Sequence, residues 1–135
     1  MRLICAALGL GLLLCPGARA AAAHTPEGKT YHVTVYPSGG GQFDDCFSFR
    51  RNGTLILGGS ISLVYALDEL NTQPEAWQAV ADGLAFHGTV GGAGAQTIQA
   101  NAINDGGGTF ILQGVLESPC VLPAAKRSAG SSYRR

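Results

Sequence analysis

The chain has 135 residues, room for one domain, and its nine basic and nine acidic residues cancel to a formal net charge of zero. The balance is uneven: between His24 and Glu117, Lys29, Arg50 and Arg51 face nine acids, a net of −6, whereas the tail adds Lys126, Arg127, Arg134 and Arg135 with no acid. An acidic body repels phosphate backbones and has too few bases to release counterions from them, which argues against nucleic-acid binding.

Met1 to Ala20 carries Arg2, an apolar run from Leu3 to Leu14, a helix-breaking Pro16-Gly17 and the small-x-small triplet Ala18-Arg19-Ala20. This order reads as a cleaved signal peptide over 1–20, and the run is too short for a permanent membrane span. The expectation is a secreted or periplasmic protein with no stable membrane insertion. Cys5 and Cys15 leave with the signal, so the mature chain keeps Cys46 and Cys120. In an oxidising compartment two thiols in a small domain are expected to pair; the alternative is one buried thiol and one tail thiol.

Residues 21–29 are alanine-rich, then polar with Pro26 and Gly28, and read as an unstructured leader. From residue 30 onward apolar side chains recur at every second position between glycine-rich breaks, the period of half-buried strands. The predicted strands are 30–36, 43–50, 54–58, 60–66, 76–81, 84–91, 96–103 and 109–117. Arg51-Asn52-Gly53 reads as a hairpin turn. In the second strand Asp45 shares a face with Phe43, Phe47 and Phe49. A carboxylate there needs a partner or an exit to solvent, and the expectation is that it sits at the strand's open end.

Short links make sequence neighbours antiparallel neighbours, so the fold class is all-β, a small up-and-down meander of about eight strands. Such a sheet closes into a barrel or splits into a barrel-like sandwich; closure is preferred because it removes both edges. The domain is expected over 30–120. Residues 121–135 read as a basic tail without structure, because serine, glycine and alanine with four bases cannot offset the entropy of ordering.

Leu67 to Ala76 has acids and a proline but no period, and is the irregular loop of an otherwise regular scaffold. Binding residues concentrate on such loops, which makes Asp68, Glu69, Asn71 and Glu75, with Tyr65 and Trp77 at the flanking strands, the candidate ligand- or partner-binding set. Trp77 also has the plainer reading of a ring plugging the core.

No catalytic residues are assigned. His32 and His87 fall on outward faces and His24 in the leader, and Asp44-Asp45 and Asp68-Glu69 are sequence neighbours whose members point to opposite faces of a strand. No metal site or cofactor is read either: the acids and glycines near Asn104 lack calcium-loop spacing, and Gly106-Gly107-Gly108 joins two strands rather than opening a helix.

Phe49-Arg50-Arg51-Asn52-Gly53-Thr54-Leu55, a strand-borne Trp77 and Gly107-Gly108-Thr109-Phe110 give residues 30–117 a pattern that resembles the lipocalin and avidin group, the calycins. The lipocalin Gly-x-Trp near the first strand and a C-terminal helix are not in this sequence. The resemblance implies a lipocalin-like barrel whose interior can hold a small apolar molecule. The functional expectation is an exported, non-enzymatic binding module, inhibitor-like, acting on an envelope or extracellular protein. A carrier of a small apolar ligand in a barrel cavity is the alternative. A filled core favours the first and an enclosed apolar cavity the second.

Overall fold

A computed structural model describes residues 24–68, 74–81, 83–122 and 132–133 of the chain. The expected signal peptide therefore lies outside the described residues, as do Glu69, Asn71 and most of the tail.

Eight strands form: β1 (Thr30–Pro37), β2 (Phe43–Phe49), β3 (Thr54–Leu57), β4 (Ile61–Leu67), β5 (Glu75–Ala81), β6 (Leu84–Gly91), β7 (Thr97–Asn104) and β8 (Thr109–Leu116). Each pairs antiparallel with its sequence neighbour, and β1 pairs with β8 from Tyr31–Leu116 to Pro37–Phe110, closing the barrel. The fold is thus an all-β up-and-down barrel, and the sandwich alternative falls. The β2–β3 hairpin turns where Asn52-Gly53 indicated: Arg50 N–H donates to Thr54 O at 2.8 Å, and Gly53 takes the left-handed conformation that closes a three-residue loop.

The alternation seen in the sequence sorts side chains into lumen and outer wall. Tyr31, Val33 and Val35 of β1, Phe47 and Phe49 of β2, Leu55 and Leu57 of β3, and Phe86 of β6 are buried inside, while Thr34, Gln78, His87, Gln99 and Gln113 face out. The lumen is apolar, and the outer wall is mixed: Val64, Val80, Ile103, Ile111 and Val115 are exposed on it beside those polar residues.

Inside, aromatic rings run from one end to the other in edge-to-face contacts. Tyr133 meets Phe86 at 5.7 Å between centroids, Phe86 meets Phe47 at 5.7 Å, and Phe47 meets Trp77 at 6.5 Å. Trp77 then meets Phe49 at 5.0 Å, which contacts Tyr65 at 5.1 Å and Tyr31 at 5.9 Å. Such pairs contribute about 0.5–1.5 kcal/mol each beyond area burial. At the far end Tyr31 O–H donates to Ala95 O at 2.8 Å, which fastens the β6–β7 loop over the lumen.

The small inward residues mark close approach rather than open space. A Cβ on Gly88 would lie 2.7 Å from the Trp77 indole, and one on Gly114 would run into the carbonyl oxygen of His32 on the adjacent strand. Glycine lets β8 coil against β1 at the closing seam. Gly114→Ala is expected to cost about 3 kcal/mol or more, because the obstruction is backbone and cannot swing aside; urea unfolding measures it, and a loss under about 1 kcal/mol would refute the packing account.

Cys46 and Cys120 form a disulfide with Cα atoms 5.9 Å apart, as expected. Cys46 lies on the outer side of β2, so the bridge carries the chain beyond β8 across β1 to the wall of β2. It spans 74 residues. Replacing both cysteines with serine is expected to lower the unfolding free energy by about 3–5 kcal/mol in the chain-entropy account, measured by urea unfolding beside the oxidised wild type.

Candidate functional site

The described chemistry-bearing residues gather in three places: the end of the barrel around Asp45, the outer wall at the base of the acidic loop, and the wall of β1 around His32.

Asp45 is fully buried, not at a solvent-open end as the sequence reading expects. Its Oδ1 accepts the Cys46 N–H at 2.7 Å, and its Oδ2 accepts the hydroxyl of Tyr133 at 2.9 Å. The expectation of a structureless tail fails at Tyr133, whose side chain is fully buried among Phe43, Phe86 and Phe110 at centroid distances of 5.2, 5.7 and 5.5 Å. Asn104 completes the enclosure: its Nδ2 donates to the Tyr133 carbonyl at 2.9 Å, and its Oδ1 accepts Gly108 N–H at 2.8 Å. Leu122 is also buried. The sequence signal for this was a pair of orphans, a carboxylate on a phenylalanine strand and a lone aromatic in a polar tail.

Burial pushes the Asp45 carboxyl up to about 6, against the opposing hydrogen bonds from Tyr133, Cys46 and Gly58. Burial, with the Asp45 charge and hydrogen bond, holds the Tyr133 hydroxyl well above the usual phenol range. Tyr133 is therefore a donor at any physiological pH.

The loop set is dispersed. Tyr65 and Trp77 are core residues, with Tyr65 O–H donating to Arg50 O at 2.6 Å, so neither presents its ring for surface binding. The Trp77 indole N–H is buried without an acceptor among the described residues, at a cost of about 1–3 kcal/mol set against the packing of its ring. Glu75 is buried, and burial together with the Asp68 charge raises its carboxyl. Asp68 stays partly exposed, and its N–H donates to Ala76 O at 2.8 Å, which ties the two ends of the loop together. Beside it a shallow depression of about 280 Å3 has Asp68, Trp77, Gln78 and His87 among its lining residues, so Trp77 borders it although its ring is buried. Two residues further along the same wall, Val64 and Val80 stand as a cross-strand pair, 73 % and 59 % exposed.

His32 does more than meet solvent: its Nδ1 lies 2.8 Å from Glu117 Oε2 and its Nε2 3.8 Å from Asp44 Oδ2. His32, Glu117 and Cys120 bring ligand atoms within 4.8 Å of one another, but the disulfide occupies the Cys120 sulfur and leaves two donors. That donor set does not make a metal site.

The raised Asp45 carboxyl fixes a sign for pH dependence. Its ordinary value is 3.8 and its folded value about 6, so the folded protein holds the proton more firmly than the unfolded chain. The contribution is fully present below the ordinary value and is lost as pH rises through the folded one. Its size is about 3 kcal/mol, at ~1.4 kcal/mol per pH unit. Asp45→Asn, which keeps the shape and can still pair with Cys46 and Tyr133, is expected to remove that slope. Urea unfolding of both proteins between pH 4 and 8 checks it, and parallel curves would exclude Asp45 as the source. Comparison with models of protein families, with curated proteins and with solved structures finds no match for this chain.

Proposed function

We propose that this chain is an exported, non-enzymatic binding module, inhibitor-like, that meets a protein partner at the cell envelope or outside the cell through its outer wall at β4 and β5. The observation that carries the reading is the exposed Val64–Val80 pair standing next to the depression beside Asp68. Apolar side chains exposed together, rimmed by polar groups, are a common mark of a protein contact.

Export is supported by the disulfide, a bond that persists in oxidising compartments, and by the signal-like N-terminus. The lumen supports contact by the outside, since aromatic rings occupy it from end to end. The carrier reading lacks such an observation in the middle of the barrel. A body with a net charge of −6 suits a basic partner, because complementary charge steers encounter. The calycin resemblance is proposed at the level of architecture only.

The test is a variant in which Val64→Thr and Val80→Thr keep β-branched strand formers while removing the apolar pair, combined with Asp68→Asn. Stability is expected to change by about 0.5 kcal/mol or less, as is usual for exposed positions. Capture of basic envelope proteins is expected to fall at least tenfold (about 1.4 kcal/mol) and to lose salt dependence. If the triple variant captures the same partners as wild type at low and moderate salt, this wall is not the contact surface.

A further inference from the structure

The end of the barrel holds a tyrosyl group by its ring, its hydroxyl and its main-chain carbonyl. Phe43 of β2, Phe86 of β6 and Phe110 of β8 enclose the ring edge-to-face. Asp45 accepts the hydroxyl, and Asn104 of β7 donates to the main-chain carbonyl. Both polar residues are oriented by the barrel itself, Asp45 by the Cys46 N–H and Asn104 by the Gly108 N–H. All five residues belong to strands of the closed sheet, and the group they hold comes from the tail. We propose that this end of the barrel is a binding site for a tyrosyl group or another para-substituted phenol, and that the chain's own Tyr133 is the occupant seen in the structure.

The chemistry selects a phenol. A phenyl ring would fill the aromatic enclosure but leave the buried Asp45 oxygen without its donor, and sites built around a hydroxyl discriminate strongly against analogues that lack it. A larger indole would place its N–H elsewhere on the ring. The tail competes as a tethered ligand: Cys120, fixed to β2, lies 13 positions before Tyr133 and holds it near the opening. Short tethers give effective concentrations in the millimolar range, so an external phenol has to outcompete that value. The site does not depend on the β4–β5 contact face, and either can fail without the other.

The test uses the full chain carrying Tyr133→Ala, with N-acetyl-tyrosinamide and N-acetyl-phenylalaninamide as probes and calorimetry as the readout. The variant is expected to bind the tyrosyl probe at least about tenfold more tightly than wild type does, because the tethered competitor is gone. It is also expected to prefer the tyrosyl over the phenylalanyl probe by about tenfold or more. Adding Asn104→Ala should weaken tyrosinamide several-fold and leave 4-methylphenol, which has no carbonyl, unaffected. A folded Tyr133→Ala protein that binds neither probe at millimolar concentration, or both equally, overturns the proposal. If that variant does not fold, the wild type is titrated with tyrosinamide to its solubility limit while the backbone amide signals of Phe86, Ala102 and Phe110 are followed. Saturable shifts in those signals support the site, and their absence overturns it. Wild-type protein that elutes as a dimer, and becomes a monomer on Tyr133→Ala, would assign the occupant to a second copy and confirm the same chemistry in trans.

Discussion

The barrel depends on filling its axis with rings. Eight strands enclose a lumen just wide enough for side chains, and alternation delivers one layer of them from each strand. Aliphatic residues cover the wall side of that space, but the centre is reached by Phe47, Phe49, Trp77 and Phe86, whose edge-to-face contacts form a continuous column. The glycines follow from this. The indole of Trp77 lies where a side chain on Gly88 would stand, and β8 coils against β1 where Gly114 has none. The column also explains why an indole N–H has no acceptor among the described residues: the ring is placed by its neighbours, and burial of a large aromatic exceeds the cost of one unmade hydrogen bond.

A column of rings has two ends, and each ends on a tyrosine hydroxyl. Tyr31 spends its hydroxyl on the Ala95 carbonyl and so holds a loop across one opening. At the other, the inward face of β2 carries Asp45 where the pattern would place another apolar residue, and a buried carboxylate requires a donor. Tyr133 supplies ring and donor together. The disulfide belongs to the same arrangement. β8 finishes at the Tyr31 end, next to Thr30, and the bridge to Cys46 redirects the chain along the wall toward the Asp45 end.

The strands were legible because a two-residue period with glycine punctuation is local information, and every predicted strand lies within one residue of the observed one. Closure was legible as well, from short links and the lack of any other cover for the edges. The Asp45 site was legible only as a difficulty. Periodicity placed a carboxylate among phenylalanines but could not say what answered it, because the answer came from 88 positions away. Composition misled at that point: averaged over residues 121–135 the tail cannot pack, yet a single residue inserted into a prepared enclosure needs no average. The burial of three residues in the loop set was legible from the same period. Tyr65, Trp77 and Glu75 were grouped by proximity to Asp68 in sequence, whereas the strand period sends all three to the buried side.

The energetics separate the tail from the barrel. The strand pairings, including the β1–β8 closure and its last bond from Glu117 N–H to Thr30 O, are made without Tyr133. What Tyr133 adds is a buried ring, worth about 2–4 kcal/mol at 25 cal/mol per Å2, and a hydrogen bond to a charged group, worth about 1.5–3 kcal/mol. Ordering each residue around it costs about 1–2 kcal/mol and opposes that gain. Once Tyr133 leaves, Asp45 faces either water or the next phenol to arrive. A ligand that brings the same ring and hydroxyl restores the whole arrangement, whereas one that brings only the ring does not.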